Sequence, residues 1–486
     1  MNPIDFMAPA MFAALVVFLL LGLPVAFSLA ALGLVSGLVA IEMGLFPAQF
    51  MANLPLRVFG ILANELLLSI PFFTLMGAIL ERSGLAEDLL EGFAQLFGGL
   101  PGGLAYAVIM VGAILGAITG TVAASVIAMG VIALPIMMRY GYSARLSTGV
   151  IAASGTITQV IPPSLVLIVL ADQLGRSVGD MYLGALGPSL AQVAIFMLFI
   201  LVMSLIQPQS MPPLPPEART LRGLALLKKV AMGVVPSLAL IFIVLGTIFL
   251  GLATPTEAGA MGVVGAIGLA AVHRRLNWKM IREGMESTMN ITVMVIFILI
   301  GATVFTLVFQ GVDGGIWVEH LFLSVGADDP VTFLFVVNIM IFILAFFLDF
   351  FEIAFIVIPL LAPVADKLGI DLIWFGVLIC VNMQTSFMHP PFGFALFYLR
   401  GIAPKSIKSS EIYLGAIPWV GLQLLLVAIL IFFPEIVTGM LDKRVTGDLQ
   451  NIEIKVDDSV ENESDGWDDE KDDKPKNDPM DYFKKK

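Results

Sequence analysis

Two apolar runs in this chain are too long for a single membrane crossing. Residues 104–138 and 331–365 each contain 35 positions, which would extend about 52 Å as a continuous helix. The hydrocarbon core of a bilayer is only about 30 Å thick. Each run carries polar residues near its middle, the Thr-Gly-Thr of 119–121 in the first and Asp349 with Glu352 in the second. We therefore predict that each run folds back as a re-entrant hairpin of two half-helices with a polar tip.

The composition excludes a water-soluble protein. Apolar residues make up 58% of the 486 positions and charged residues 13%, whereas soluble domains have about 45–50% and about 25%. Residues 442–486 alone hold 15 acidic and 9 basic side chains, so the rest of the chain is only about 9% charged. We predict a polytopic membrane protein surrounded by lipid, with 442–486 as an acidic disordered tail. The net charge of −12 without a basic stripe disfavours a nucleic-acid partner.

Residues that carry catalytic or thiolate-metal chemistry are nearly absent. Cys380 is the only cysteine, so an intramolecular disulfide and a cysteine-ligated metal are excluded. The histidines, His273, His320 and His389, lie far apart in the sequence, and no nucleophile–base set accompanies them. We predict that the protein is not an enzyme and binds no organic cofactor.

The loops between the apolar runs differ in basic charge. If the N-terminus lies outside, the inside loops carry 14 Lys and Arg residues and the outside loops carry 3. Positive charge is enriched on the cytoplasmic side of membrane proteins, so this orientation is favoured. No basic residue precedes the first apolar run, and we expect that run to be retained as a span rather than cleaved as a signal peptide.

Proline and glycine positions recur along the chain at a fixed spacing. A shift of 228 residues superimposes Pro135 on Pro363, Gly141 on Gly369, Pro162 on Pro390, and Pro163 on Pro391. Each half then has an odd number of crossings, so the halves are inverted, as is typical of secondary transporters. We predict a first repeat over 1–206, a cytoplasmic proline-rich linker over 207–231 and a second repeat over 232–441. The alternative is that these residues only kink separate transmembrane helices.

Two further apolar runs are interrupted by polar residues and a Pro-Pro pair. The first, 146–171, contains GTITQVIPPS, and the second, 372–399, contains NMQTSFMHPPFG. Proline frees carbonyl groups in the preceding turn, and these carbonyls with nearby hydroxyls are hard oxygen ligands suited to a hard cation. The helix that follows each break directs its positive end inward, which suits a carboxylate. We predict two quasi-equivalent cation sites where each break faces a hairpin tip.

Three titratable residues belong to these features. An acidic residue within a membrane is a functional candidate by default, and the 228-residue shift places Asp349 on Thr121 at a hairpin tip. We expect Asp349 to stabilise the tip or a bound cation, with Glu352 close to it. The alternative for both acids is a purely structural role. His389, beside the second break, either binds substrate or caps a freed carbonyl.

Four segments together resemble the large membrane subunit of TRAP transporters, the DctM type. GAITGTVAASVIAMG, within 112–130, resembles the Ser-Gly-Ser hairpin tip of that subunit. GTITQVIPPS (155–164) and HPPFGFALFYLRG (389–401) resemble its two breaks, and ATPTEAGAMG (253–262) resembles its Thr-Pro-Thr-Glu-Ala turn. Capping chemistry alone explains this turn as a helix start, with Thr at the N-cap and Glu three residues later. The resemblance covers about residues 5–440.

The resemblance implies an activity and partners. Such subunits import organic acids with sodium as the coupling ion, by an elevator movement of the hairpin-bearing domain. They work in the bacterial inner membrane with a small four-helix membrane subunit and a periplasmic solute-binding protein, so the N-terminus would be periplasmic. The alternative is a stand-alone ion-coupled carboxylate transporter or antiporter of the same hairpin architecture, which would need no binding protein.

The resemblance also implies site residues. The sodium candidates come from the tips and breaks: Thr119, Gly120, Thr121, Gly155, Thr156, Pro162, Asp349, Gln384, Thr385 and Pro390. The substrate candidates are Ser125, Ser164, Glu352 and His389. Thr-Gly-Thr replaces Ser-Gly-Ser at the first tip and retains its hydroxyls. Ser125 stands where the family often has an acid. His389 stands where the family often has threonine, and this difference bears on substrate choice.

Overall fold

The computed structural model of the protein describes residues 3–441, with all their side chains except those of residues 3–5, 20 and 119. The predicted disorder of the acidic tail, 442–486, concerns residues outside this range. Every regular element within the described range is helical. The prediction of an all-α protein is therefore confirmed.

The helices follow one another with short connections. Those of the first half are α1 (Pro3–Leu20), α2 (Val25–Glu42), α3 (Leu54–Leu62), α4 (Glu65–Arg82), α5 (Leu85–Phe97), α6 (Gly103–Thr119), α7 (Val122–Arg139), α8 (Ala144–Thr156), α9 (Leu165–Gln173) and α10 (Val178–Ile206). Those of the second half are α11 (Gly223–Phe249), α12 (Pro255–Val272), α13 (Trp278–Gly311), α14 (Gly314–Ser324), α15 (Pro330–Leu344), α16 (Phe350–Glu352), α17 (Ile358–Lys367), α18 (Leu372–Met383), α19 (Phe394–Ile402), α20 (Ser409–Phe432) and α21 (Glu435–Thr438).

Among the described residues, seven helices are long and apolar enough to cross a membrane. They are α2, α7, α10, α11, α12, α13 and α20. An eighth candidate is the pair formed by 48–62 and α4, which bends by 43° at its break. Together with the shorter apolar helices, these elements confirm a multi-pass membrane protein.

The first long apolar run forms a hairpin. Helix α6 ends at Thr119, Gly120 takes the left-handed conformation with φ of 62°, and α7 begins at Val122. The two ends of the hairpin meet, because the Leu104 amide donates to the Tyr142 hydroxyl over 3.2 Å. Burial at this base, outside the spans, raises the pKa of Tyr142 to about 12.

The second long apolar run folds back in the same way. Helix α15 ends at Leu344, and the chain returns through α16, a π-helical turn over 353–357 and α17. Helix α14 contacts both ends of this hairpin, because Phe322 packs on Phe333 of α15 at 5.0 Å between ring centroids and Glu319 pairs with Lys367 of α17. Both predicted re-entrant hairpins are therefore present.

Both predicted interrupted helices are also present. After α8 the chain passes through a 3₁₀ turn over 157–159 and the Pro-Pro pair before α9 begins. After α18 it passes through a 3₁₀ turn over 384–387 and the second Pro-Pro pair before α19 begins. The Pro-Pro peptide bond is cis in both breaks.

The segment between the two halves ends in a helix. Helix α11 begins at Gly223, within the predicted linker of 207–231. Its first turns are rich in leucine, alanine and lysine, which are strong helix formers. The ammonium group of Lys229 pairs with Asp88 at 3.2 Å and Glu91 at 3.0 Å on α5, which anchors the start of α11.

Candidate functional site

The first break packs directly on the first hairpin. A Cβ atom at Gly112 of α6 would lie 2.5 Å from the Cβ atom of Ser154, and one at Gly155 would lie 2.2 Å from a methyl group of Val126 on α7. Real Cβ atoms do not approach other atoms so closely, so these positions require glycine for their close approach. The first break therefore contacts both arms of the first hairpin.

The second break packs on the first arm of the second hairpin. The amide nitrogen of Asn382 donates to the Asn338 backbone carbonyl at 2.8 Å and to the Asn338 side-chain oxygen at 2.9 Å. The ring of His389 stacks on Phe346 at 4.2 Å and meets the edge of Phe342 at 4.3 Å. Each break therefore lies against a different hairpin.

Four buried polar residues join the two breaks. Gln192 of α10 and Gln384 of the second break exchange hydrogen bonds of 2.6 and 3.1 Å. The amide nitrogen of Gln423 on α20 lies 3.1 Å from the Gln384 side-chain oxygen and 3.3 Å from the hydroxyl of Thr156 in the first break. Gln192 and Gln423 are absent from the predicted site, although isolated amides in the apolar runs 184–206 and 414–434 were a readable signal.

A cavity of about 250 Å³ lies between the hairpin tips and the breaks. Its walls come from both tips, both breaks, α13 and α19: Gly120, Thr121, Val122, Ala123, Gln159, Leu165, Ile291, Met294, Asp349, Phe350, Phe351, Phe387, Phe394 and Tyr398. Three of the predicted site residues, Gly120, Thr121 and Asp349, are thus brought to one cavity. The remaining described candidates do not line it.

Asp349 and Glu352 form a capping box at the second tip. One carboxylate oxygen of Asp349 accepts from the Glu352 amide at 2.9 Å, and one of Glu352 accepts from the Asp349 amide at 3.0 Å. This reciprocal arrangement starts the returning arm of the hairpin. Both side chains are half-buried. Asp349 therefore has a structural task at the tip and also contributes to the cavity wall.

The hydroxyls of the breaks donate to backbone carbonyls. Thr156 donates to Ala153 at 2.9 Å and Thr385 to Asn382 at 2.7 Å. Ser164 donates to the Gln159 carbonyl and accepts from the Val166 amide at 3.2 Å, which makes it the N-cap of α9. Each hydroxyl oxygen has two acceptor sites, so donation to a carbonyl leaves it able to serve as a ligand.

The other candidates surround this centre. Ser125 is buried one turn into α7, and its amide donates to the Thr121 carbonyl at 3.4 Å. Pro162 is buried and Pro390 is half-buried. His389 is buried, its ring nitrogens make no well-formed hydrogen bond, and the Ala345 carbonyl is its neighbouring acceptor. The side chain of Thr119 lies outside the described part of the structure.

A hard cation fits the oxygen-rich breaks. The side-chain oxygens of Asn382 and Gln423 are buried and have no hydrogen-bond partner. Asn382 belongs to the second break, and Gln423 contacts it through Gln384. Unpaired buried oxygens of this kind, with hydroxyls and carbonyls nearby, match the ligand set of a hard cation. Within the described residues, no group of three or more His, Cys, Asp and Glu side chains offers a transition-metal site.

Comparison with known proteins agrees with this architecture. The family model described as "Tripartite ATP-independent periplasmic transporter, DctM component" matches residues 12–436. The C4-dicarboxylate TRAP transporter large permease protein DctM of Pseudomonas aeruginosa is 31% identical over 402 residues, covering 82% of this chain and 91% of that protein. The sialic acid TRAP transporter large permease protein SiaM of Vibrio cholerae is 26% identical, covering 85% and 93%.

A fused relative and a solved structure extend the comparison. The isethionate TRAP transporter permease protein DctMQ of Oleidesulfovibrio alaskensis is 28% identical, and the match covers 88% of this chain but 65% of that protein. The crystal structure of the YdaH transporter of Alcanivorax borkumensis superposes with a TM-score of 0.57 at 14% identity, covering 80% of this chain and 89% of that one. That likeness supports the fold alone. With two hairpins, two broken helices and a family match along nearly the whole described range, this chain belongs to the DctM component family of tripartite ATP-independent periplasmic transporters.

Proposed function

We propose that this large permease subunit imports organic acids, coupled to sodium, through the cavity between its two hairpin tips. The observation that supports this most directly is the cavity itself, because tips and breaks from both halves of the chain converge on it. The relatives carry the names of C4-dicarboxylate, isethionate and sialic acid transporters, and all three substrates are organic acids.

Sodium is the coupling ion in this proposal. Its ligands are the backbone and hydroxyl oxygens at Gly120, Thr121 and Thr156 in the first half and at Gln384 and Thr385 in the second. The support is the oxygen-rich chemistry of both breaks. The test is uptake into proteoliposomes that contain the whole complex. We expect uptake to require an inward sodium gradient, and equal uptake driven by protons in sodium-free buffer would contradict sodium coupling.

The partners in this proposal are a small four-helix membrane subunit and a periplasmic solute-binding protein, and the complex lies in the inner membrane with the N-terminus of this chain in the periplasm. The family match and the positive-inside loops support this arrangement. We expect uptake only when both partners are added to the proteoliposomes. Uptake at the full rate without a binding protein would instead favour a stand-alone transporter.

The transport movement in this proposal is an elevator movement of the hairpins and breaks as one body. The close glycine contacts between hairpin and break support a rigid unit. Asn64, which precedes α4, donates to the Asp172 carboxylate of α9 at 2.6 Å and would connect this body to the surrounding helices in the observed state.

A cross-link tests the elevator movement. Cysteines that replace Asn64 and Asp172 should arrest transport when they are joined by a short cross-link, and reduction should restore it. The native Cys380 is buried, so background labelling is low. The control pair replaces Arg282 and Glu286, which lie one turn apart on α13. Undiminished transport with Asn64 and Asp172 fully cross-linked would contradict a movement of these two elements past each other.

A further inference from the structure

The central cavity has an unusual charge for a site that would hold a dianion. None of its described lining residues is Lys, Arg or His, whereas Asp349 contributes a carboxylate. A dicarboxylate placed there would bring two negative charges beside a third without a basic side chain in the wall. Like charges at short range repel, and burial in a low-dielectric cavity strengthens the repulsion. The cavity therefore disfavours a C4-dicarboxylate.

A second feature of the cavity wall is a buried acceptor without a donor. Gln159 lies in the wall and is 1% exposed, and its side-chain oxygen is buried without a hydrogen-bond partner. A buried acceptor left unpaired is unfavourable, and a ligand N–H group would satisfy it if the side chain turned toward the cavity. Together, the Gln159 oxygen and the Asp349 carboxylate suit a positively charged group, and an ammonium group also supplies the missing donor.

The rest of the wall is largely aromatic and aliphatic. Phe351, Phe387, Phe394 and Tyr398 contribute rings, and aromatic faces attract organic cations as well as apolar groups. Helix α9 begins at Leu165, which also lines the cavity. The N-terminus of this helix carries partial positive charge, so it suits one carboxylate.

We propose that the substrate is a zwitterionic organic acid with one carboxylate, one ammonium group and an apolar side chain, of the kind represented by apolar α-amino acids. This rests on the proposed function of the cavity as the substrate site. The ammonium group donates to the Gln159 oxygen and faces Asp349, the carboxylate meets the N-terminus of α9, and the apolar side chain packs on the aromatic rings. In this assignment Asp349 faces the substrate rather than a sodium ion.

Matched pairs of ligands test the proposal. The full chain, purified with its small subunit in sodium-containing detergent buffer, is melted in increasing concentrations of L-leucine or of 4-methyl-2-oxopentanoate, which has the same skeleton without the ammonium group. L-Phenylalanine with phenylpyruvate forms a second pair, and succinate represents dicarboxylates. We expect the amino acid of at least one pair to raise the melting temperature at lower concentration than its oxo acid, and succinate to have no effect.

Two variants test the assigned residues. Gln159→Leu should lower the affinity for the amino acid about tenfold, which is the effect of losing one hydrogen bond to a charged group. The same variant should change the affinity for the oxo acid little. Asp349→Asn should do the same and should retain the helix cap, because asparagine caps helices as well as aspartate does. An equal loss of affinity for both members of a pair would indicate a general structural defect and would contradict the assigned roles.

The outcomes separate this inference from the proposed function. If an oxo acid or succinate stabilises the complex as well as the amino acids do, the zwitterion assignment is wrong while the importer of organic acids stands. If none of the five compounds raises the melting temperature, the zwitterion assignment is also wrong. If, in addition, no organic acid is taken up by proteoliposomes supplied with both partners and a sodium gradient, the proposed function fails as well.

Discussion

The side chains of Gln192 and Gln384 exchange two hydrogen bonds, of 2.6 and 3.1 Å, at a fully buried position. One residue belongs to the continuous helix α10 and the other to the break that follows α18. Because Gln423 extends this pair to Thr156, the two broken helices are connected through amide side chains. An amide in an apolar surrounding is stable only when it is paired, so the connection fixes the position of one break relative to the other.

Replacement of Gln192 should therefore destabilise the protein. Gln192→Leu leaves the amide nitrogen of Gln384 without its partner, at a cost of about 1–3 kcal/mol. Adding Gln384→Leu should cost less than the sum of the two single changes, because neither partner is then left unpaired. Thermal unfolding in detergent measures the effect, with exposed Gln310→Leu as the control. Strictly additive losses would show that the two amides are not coupled.

The hydroxyls of the first tip and the second break should each affect sodium dependence. Thr121→Ala and Thr385→Ala each remove one oxygen from a different proposed cation site and leave the backbone unchanged. Loss of one ligand worth about 1 kcal/mol should raise the sodium concentration for half-maximal uptake about fivefold. Thr247→Ala on α11, where the hydroxyl only donates to the Val244 carbonyl, is the control. Unaltered sodium dependence in both variants would place the sites elsewhere.

The glycine contacts between hairpin and break should tolerate no side chain. A Cβ atom at Gly112 would lie 2.7 Å from the Ser154 carbonyl oxygen, so Gly112→Ala must displace backbone and should lower both the folded yield and the uptake rate. Gly268→Ala is the matched control on α12, because nothing lies within 4 Å of its Cβ position. Alanine there should be neutral or slightly stabilising. Equal behaviour of the two variants would show that hairpin and break do not pack as described.

Features with a local sequence signature could be predicted. The hairpins followed from run length, the breaks from their Pro-Pro pairs, and the start of α12 from Thr254 and Glu257, which form the expected capping box with an amide-to-hydroxyl distance of 3.2 Å. The amide network could not be predicted, because Gln192 and Gln384 are 192 positions apart and meet only through tertiary packing. Helix α14 was not predicted, because its 11 residues are too few to span a membrane.

The structure brings only some of the predicted site residues together. Gly120, Thr121 and Asp349 line the cavity, since hairpin tips necessarily gather at the centre. The Asp-x-x-Glu spacing indicates a capping role for Asp349. The prediction was based instead on the position of its charge within the membrane. Gln159 lies within the first break, but nothing in the sequence shows that its side-chain oxygen is unpaired. That information comes only from the surrounding helices.

Asp349 allows a test in which helix capping and charge are separated. Asp349→Asn keeps the size and the capping oxygen but removes the charge, so the complex should still insert, copurify with the small subunit and melt near the wild-type temperature. Uptake should nevertheless be abolished or strongly reduced, because a carboxylate in the cavity wall would no longer face a cation. Asp329→Asn is the matched control, since Asp329 caps α15 by accepting from Val331 at 3.0 Å and Thr332 at 3.1 Å in an exposed position. If both variants transport at the wild-type rate, Asp349 serves only as a helix cap, and its assignment to the transport site is wrong.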